Sequence, residues 1–194
     1  MSRTINKISR KIKAACFTAQ EKGTVAMEFA LSLPIWIALL VGTADLSFMM
    51  ILSQRVDRIA YSVTDIVTQS ETITTSDLDH IMLASGQLMQ PFTFGEKGIV
   101  IVNSIFKPSG QPMVISWQYT GGGSLARASK IGTAGGYPTM PGGLVLNDNE
   151  NIIITEVYYA FEPLFINAGF LAAEDFYRTA VYKPRLSPLI TPPT

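Results

Sequence analysis

Residues 27–52 read MEFALSLPIWIALLVGTADLSFMMIL, a long apolar stretch near the start of a 194-residue chain. Its uncharged centre, residues 29–44, would extend about 24 Å as an α-helix, because each helical residue adds 1.5 Å. The hydrocarbon layer of a bilayer is about 30 Å thick. The stretch therefore predicts a transmembrane helix with Glu28 and Asp45 near the two membrane surfaces. Residues 46–52 add further apolar length, so a tilted span that draws one acid inward fits the membrane.

The charges on the two sides of this stretch are unequal. Residues 1–22 carry six basic side chains and one acidic one, whereas the rest of the chain carries nine basic and fourteen acidic ones. Lys and Arg are enriched on the cytoplasmic side of membrane spans. We therefore predict a cytoplasmic basic leader over residues 1–23, a transmembrane helix over residues 24–52 and an exported domain over residues 53–194. The basic arm is interpreted as a topology signal and not as a nucleic-acid-binding patch.

A cleaved secretory signal is the rival interpretation of the apolar stretch. The small residues Gly42, Thr43 and Ala44 follow an apolar run, as they do at signal-peptide cleavage sites. Cleavage there would make Asp45 the new N-terminus. The apolar pattern continues through residues 46–52 into a helix, however, and this continuity favours a retained anchor.

A short motif joins the basic leader to the apolar core. Residues 23–29 read GTVAMEF, in which a glycine ends the leader and a glutamate followed by an aromatic residue stands five positions later. This motif resembles the processing site of Flp-type prepilins. Residues 30–34 (ALSLP) resemble the sequence after that glutamate in TadE/TadG-like proteins of tight-adherence (Flp) pili. Residues 156–165 and 183–187 look like the strand, the Pro-Leu turn and the closing Pro-Arg of the same family.

The resemblance implies a pilus-assembly protein or minor pilin of a type IVb-like secretion system. It implies a single-pass protein of the bacterial inner membrane, with its N-terminus in the cytoplasm and its C-terminal domain in the periplasm or in an extracellular pilus. A prepilin peptidase would cut after Gly23 and expose Thr24, while Glu28 and Phe29 would serve recognition and subunit register. The implied partners are other pilins and the inner-membrane assembly platform, with no cofactor, metal or small-molecule substrate.

The spacing of the motif has a chemical interpretation. Glycine offers a peptidase an unhindered, extended backbone, and a carboxylate at the edge of a membrane helix is costly unless it is paired. Cleavage would create an ammonium group on Thr24, which could pair with Glu28 of a neighbouring subunit and set axial register. The same two residues are also i,i+4 neighbours within one helix. The alternative for Glu28 is a carboxylate at the level of the lipid headgroups, beside Lys22.

Helices are predicted on the exported side of the span. Apolar residues recur at helical spacing at Val56, Ile59, Ala60, Val63, Ile66 and Val67. The span should therefore continue as an amphipathic stalk helix to about Gln69. A second helix is predicted to begin with Ser76 as its cap and to end near Pro91. Its apolar face would comprise Leu78, Ile81, Met82, Leu88 and Met89.

Four strands are predicted to follow these helices. The segments are rich in β-branched and aromatic side chains and comprise residues 98–106, 113–120, 152–161 and 176–183. We therefore expect an α+β fold, in which a small, mainly antiparallel sheet packs on the stalk helix.

Two polar segments between the predicted strands leave alternatives open. Residues 121–143 contain eight glycines and two prolines, which predicts a mobile loop or, alternatively, a loop that contacts a partner. Residues 147–151 (NDNEN) concentrate oxygen atoms. A calcium site is conceivable there, but the EF-hand spacing is not met, which favours a hairpin turn rich in Asn and Asp.

The composition argues against an enzyme. His80 is the sole histidine and Cys16 the sole cysteine, so a catalytic triad, a zinc site and a disulfide framework all lack residues. Cys16 is either an idle thiol or a lipid carrier on the cytoplasmic side. The remaining functional alternatives are a signal-anchored periplasmic binding or adhesion module without a pilus role, and a secreted hydrolase.

Overall fold

The computed structural model describes the backbone of residues 2–165 and 174–194, and the side chains of these ranges from residue 24 onward. The described chain forms α1 (Ser2–Gln69), α2 (Thr75–Leu88), β1 (Gly98–Lys107), β2 (Val114–Gly121), β3 (Glu150–Phe161) and β4 (Glu174–Tyr182). It divides into two compact units, Met1–Leu46 and Ser47–Thr194. We call the second unit the head. The side chains of the basic leader, including Cys16, lie outside the described residues.

Within the head, α1 buries one face as the apolar spacing predicts. The side chains with almost no exposure are Leu52, Val56, Ile59, Ala60, Val63 and Val67. Thr64 and Thr68 are buried beside them, because their hydroxyls donate to the carbonyls of Ala60 and Thr64 one turn earlier. The buried face of α1 therefore extends to the side of the helix that carries these threonines. Ile66, predicted on that face, consequently lies just past its opposite edge and is 47% exposed.

The N-cap of the second helix lies two residues earlier than predicted. Thr74 and not Ser76 is the N-cap: its Oγ1 accepts from the backbone N of Asp77 at 3.1 Å, and Asp77 Oδ2 accepts from the backbone N of Thr74 at 3.0 Å. This reciprocal arrangement needs an acidic or amide residue three positions after the cap. From Ser76 that position would be Asp79, whose carboxylate instead accepts from the Tyr119 hydroxyl at 2.5 Å.

The sheet confirms the predicted α+β class. Its order is β2-β1-β3-β4, and every neighbouring pair is antiparallel. One face, which includes Val100 and Val102, packs with the buried side chains of α1 and α2 in the main core of the head. The alternate residues of β1 point to the other face because side chains alternate along a strand. There Ile105 packs in a second core with Ile131 and Leu146 from the β2–β3 connection.

The β2–β3 connection is therefore a cover over the sheet and differs from the mobile loop that its composition predicts. Its Gly136 carbonyl accepts from Ile115 N at 3.0 Å, and Gly135 N donates to the Ile115 carbonyl at 2.7 Å, along the outer edge of β2. Close approach explains one glycine in particular. A Cβ atom on Gly123 would lie 2.1 Å from the Gly98 carbonyl oxygen, so a side chain there would displace the backbone.

The C-terminal tail ties the helices to the sheet. The Leu189 carbonyl accepts from Ser104 Oγ at 2.6 Å and from Trp117 Nε1 at 2.8 Å, inside the head. Arg185 lies at the end of α1, where its backbone N donates to the Thr68 carbonyl at 2.9 Å and its side chain pairs with Asp65 at 2.5 Å. A cation at a helix C-terminus is favourable, because the last carbonyls carry partial negative charge.

Candidate functional site

The segment of α1 between residues 24 and 44 exposes apolar side chains in all directions. Ile35, Trp36 and Ile37 are each more than half exposed, and successive helical residues point about 100° apart. The described chain has one helix long and apolar enough to cross a membrane, within Thr24–Gln69, and its most apolar window has a mean hydropathy of 2.0. A helix that is apolar all round belongs in a core or in lipid. The described structure places no core around this segment.

Two hydroxyl groups of this segment, those of Ser32 and Thr43, are satisfied by the helix itself. Ser32 Oγ donates to the Phe29 carbonyl at 3.0 Å. Thr43 Oγ1 donates at 2.9 Å to the carbonyls of both Leu39 and Leu40. Hydroxyls paired in this way require no water, which suits a helix placed in hydrocarbon. Pro34 lies inside the helix.

The predicted site residues lie at the start of this apolar segment. Thr24, Glu28 and Phe29 are all exposed. Thr24 and Glu28 are four residues apart and therefore share one face of α1. Gly23 falls outside the residues whose surroundings are described, although its backbone lies within the bounds of α1. A peptidase that needs an extended substrate would have to unwind this turn, and glycine lowers the cost of unwinding by about 1 kcal/mol relative to alanine.

The two acids that bound the apolar core differ in exposure. Glu28 is exposed, whereas Asp45 has an exposed fraction of 0%. The sequence predicts both carboxylates near the membrane surfaces. The burial of Asp45 leaves Glu28 as the carboxylate of this pair that a group on another molecule can reach.

A buried carboxylate at the centre of the sheet is absent from the sequence-predicted sites. Glu156 of β3 has an exposed fraction of 0%. It accepts hydrogen bonds from Lys130 N at 2.9 Å, Asn103 Nδ2 at 3.0 Å and the Tyr177 hydroxyl at 2.9 Å. The Ser129 hydroxyl is a fourth donor. Several donors around one carboxylate compensate for the loss of its hydration.

These contacts make Glu156 the anchor of the cover. Ser129 and Lys130 belong to the β2–β3 connection, so the carboxylate joins that connection to the middle of the sheet. Lys130 Nζ also lies 4.0 Å from the centroid of the Tyr177 ring, a cation–π contact. A sequence signal for this role exists, since residues 152–161 (IIITEVYYAF) carry a single charged residue in an otherwise apolar and aromatic strand.

Two tyrosines beside Glu156 make the stability of the head decrease at alkaline pH. Burial, followed by the charge of Glu156, raises the pKa of Tyr158 to about 12, and the same two causes raise the pKa of Tyr177. An unfolded tyrosine has a pKa of about 10. Above that pH the unfolded chain releases protons that the folded head retains, so stability is complete below about pH 10 and falls as the pH rises further.

We expect the free energy of unfolding of the full chain in detergent to decrease between about pH 10 and about pH 12. Urea titrations at a series of pH values would measure it. Tyr177→Phe should make the decrease shallower, because it removes one of the tyrosines whose pKa is raised in the folded head. Tyr137→Phe, which changes an exposed tyrosine, is the matched control and should leave the slope unchanged. Equal slopes for wild type and Tyr177→Phe would contradict the assignment.

The acidic turn before β3 binds its own chain. Asp148 pairs with Lys107 at 2.9 Å and accepts from Gly110 N at 3.2 Å. Glu150 Oε2 accepts from Asn147 N at 2.9 Å. Among the described residues, no group of three or more His, Cys, Asp or Glu side chains could hold a metal ion. Residues 147–151 therefore form a turn that is satisfied within the chain, as expected. The hairpin part of the prediction is wrong, because β3 pairs with β1 and β4 and not with the preceding strand β2.

Comparison with known proteins identifies the family of the N-terminal segment. Residues 23–64 match the model of a family described as TadE-like protein. No curated protein and no solved structure matches the chain. The match confirms the resemblance seen in the N-terminal segment, whereas residues 156–165 and 183–187, which also resemble the family, lie outside it. It associates the chain with the Tad pilus system and with the membrane, and it begins at the glycine of the predicted processing motif.

Proposed function

Because residues 23–64 are TadE-like, we propose that this protein is a minor pilin or pilus-assembly protein of a tight-adherence (Flp) system. The observation that carries the proposal is the extent of the match. It covers the exposed apolar segment, with Glu28 near its start, and ends within the buried face of α1 in the head. One anchor helix would hold the protein in the bacterial inner membrane, with the leader in the cytoplasm and the head in the periplasm or in a pilus.

The apolar segment supports this proposal because its exposed apolar side chains are unfavourable in water. Its exposed side chains would be covered by lipid acyl chains in the membrane, or by the helices of other pilins in a filament. Both environments are apolar, so one surface serves before and after assembly. Other pilins and the inner-membrane assembly platform are the proposed partners.

In this proposal, Glu28 is the charged group that pairs one subunit with the next. After cleavage, the ammonium of Thr24 in one subunit would pair with the exposed Glu28 carboxylate of the next. A salt bridge in an apolar environment is often a weak source of stability but an effective determinant of register. Many axial offsets between two subunits would give similar apolar contacts. The pair would therefore select one of these offsets.

The experiment that tests processing is mass spectrometry of the mature N-terminus. With a prepilin peptidase present, we expect the mature chain to begin at Thr24. Gly23→Val should block cleavage almost completely, because a β-branched side chain replaces the unhindered position and disfavours the required backbone. Gly42→Val is the matched control, because this glycine lies within the same helix and has open space around it, and we expect normal processing.

A mature N-terminus other than Thr24 would favour one of the alternative functions. An intact Met1 in the presence of active peptidase would contradict processing and leave an uncleaved anchor, as in a periplasmic binding or adhesion module. A chain that begins at Asp45 would contradict the membrane role and indicate secretion.

We propose a structural role for the head and no enzymatic one. His80 is exposed on α2. The buried carboxylate of Glu156 is occupied by donors from the cover and the sheet. These contacts support a head that is built for rigidity and that presents its surface to partners.

A further inference from the structure

A groove in the head lies between α2 and the end of β2. It has a volume of about 580 Å³, and its walls include Asp79, Leu83, Gly86, Gln87, Gly95 and Gly122. Leu83, on the α2 wall, is 72% exposed. A Cβ atom placed on Gly86 or on Gly95 would meet no other atom within 4 Å. The groove is therefore open enough to admit side chains of another molecule, and it offers them apolar surface.

The groove is acidic. Asp79 lines it and Glu96 follows one of its glycines, and both carboxylates are exposed. Asp79 Oδ1 accepts from the Tyr119 hydroxyl at 2.5 Å, and a carboxylate has lone pairs for further donors. Residues 70–96 contain four acids and no lysine or arginine. A partner that carries a cation among apolar side chains would therefore complement the groove.

The outer face of α1 in the head has these complementary properties. Ile51, Gln54, Arg58 and Tyr61 are exposed, and at about 100° per residue they lie within about 80° of one another around the helix. Arg58 makes no ion pair within the described part of the chain. Ile51 and Tyr61 add apolar surface on either side of it. Arginine and tyrosine are enriched where proteins bind each other.

The groove and the α1 face belong to opposite edges of the sheet. α1 contacts β4, since Asp57 pairs with Arg178 at 2.9 Å. α2 contacts β2 through the hydrogen bond between Asp79 and Tyr119. The outer strands of the sheet are β2 and β4. A copy that docks its α1 face on the groove of a second copy therefore keeps its own groove free for a third.

We propose that the groove binds the outer face of α1 from a second copy of this chain, with Arg58 beside Asp79. The planar guanidinium of arginine can bind a carboxylate through two hydrogen bonds. Two different surfaces meet in this contact, so repeated copies form a helical array unless their rotation closes a ring. The inference rests on the proposed function, because anchoring in one membrane raises the effective concentration of one head for another.

The test is cross-linking between two full-length chains, both with Cys16→Ser, reconstituted together in vesicles of phosphatidylcholine and phosphatidylglycerol. One chain carries Gln54→Cys on the α1 face, and a differently tagged chain carries Gln87→Cys on the groove. A short bismaleimide joins cysteines that lie close together. Gln111→Cys replaces Gln87→Cys in the matched control, because Gln111 is also exposed and precedes β2, whereas the groove lies at the other end of that strand. Flotation after an alkaline wash reports anchoring separately.

We expect the product between positions 54 and 87 to exceed the control product by at least about tenfold. Arg58→Glu in the first chain should remove this excess, because like charges would then face each other. Asp79→Arg in the second chain should do the same. Combining the two chains with reversed charges should restore the product. Asp79→Asn, which keeps an acceptor for the Tyr119 hydroxyl, should reduce the product in part.

Three results would overturn the inference. They are equal products at positions 87 and 111, a product that neither charge reversal changes, and a loss in both reversals without recovery when they are combined. If the protein floats with the vesicles in these cases, the proposed anchoring stays intact. Protein that fails to float would overturn the anchoring as well.

Discussion

A Glu28→Ala chain is expected to insert into the membrane like wild type and to leave cells with almost no assembled pili. Insertion depends on the apolar segment, which the substitution makes slightly more apolar. Under the proposed function, assembly would lose the carboxylate proposed to pair with the Thr24 ammonium of a neighbouring subunit, and that ammonium would be left unpaired in an apolar environment. Membrane fractionation measures insertion, and the yield of sheared pili measures assembly.

Three further variants separate charge from shape at this position. Glu28→Gln keeps the size of the side chain and removes its charge, so it should resemble Glu28→Ala. Glu28→Asp keeps the charge on a shorter side chain and should retain part of the assembly. Glu71→Ala removes an exposed acid in the head and should assemble normally. Normal piliation by Glu28→Ala would contradict the register role.

Glu156→Ala is expected to destabilise the head by about 3–5 kcal/mol, because it breaks a buried hydrogen-bond network and leaves several neutral donors without their acceptor. Lys130 N, Asn103 Nδ2 and the Tyr177 hydroxyl would lose their acceptor inside the protein. Each buried donor left without a partner costs about 1–3 kcal/mol. Urea unfolding of the full chain in detergent, followed by the fluorescence of buried Trp117 in a Trp36→Phe background, would measure the loss.

Proteolysis distinguishes local release of the cover from general destabilisation. Arg127 and Lys130 lie in the cover and are cleavage sites for trypsin. In Glu156→Ala we expect the first cuts at these two residues, because the anchor of the cover is gone. Glu156→Gln should also be less stable than wild type, since its amide group would present hydrogens toward some of the same donors.

The matched control for Glu156 is Glu174→Ala in the neighbouring strand. Glu174 is exposed at the start of β4, so its loss should change the free energy of unfolding by less than about 0.5 kcal/mol. A Glu156→Ala head as stable as this control, with the cover still resistant to trypsin, would contradict the anchoring role.

The features predicted correctly from sequence depend on local patterns. An uninterrupted apolar run, an apolar repeat of three to four residues and alternating β-branched side chains each report the environment of one continuous segment. They were sufficient for the end of α1 at Gln69, the four strands and the α+β class. The processing motif around Glu28 was equally local, and it led to the family that the comparison confirmed over residues 23–64.

The tertiary structure decided which polar groups are buried and which apolar groups are not. Glu156 accepts from Asn103, 53 positions away, and from Lys130, 26 positions away. The ring centroids of Phe48 and Phe161 lie 6.0 Å apart, although more than a hundred residues separate the two in the sequence. Such contacts leave no periodic trace in the sequence, because the cost of burying a charge depends on donors that other segments supply. Local periodicity therefore determined the helices and strands of this protein, whereas long-range hydrogen bonding and packing determined the burial of Glu156, the cover over the sheet and the aromatic contacts inside the head.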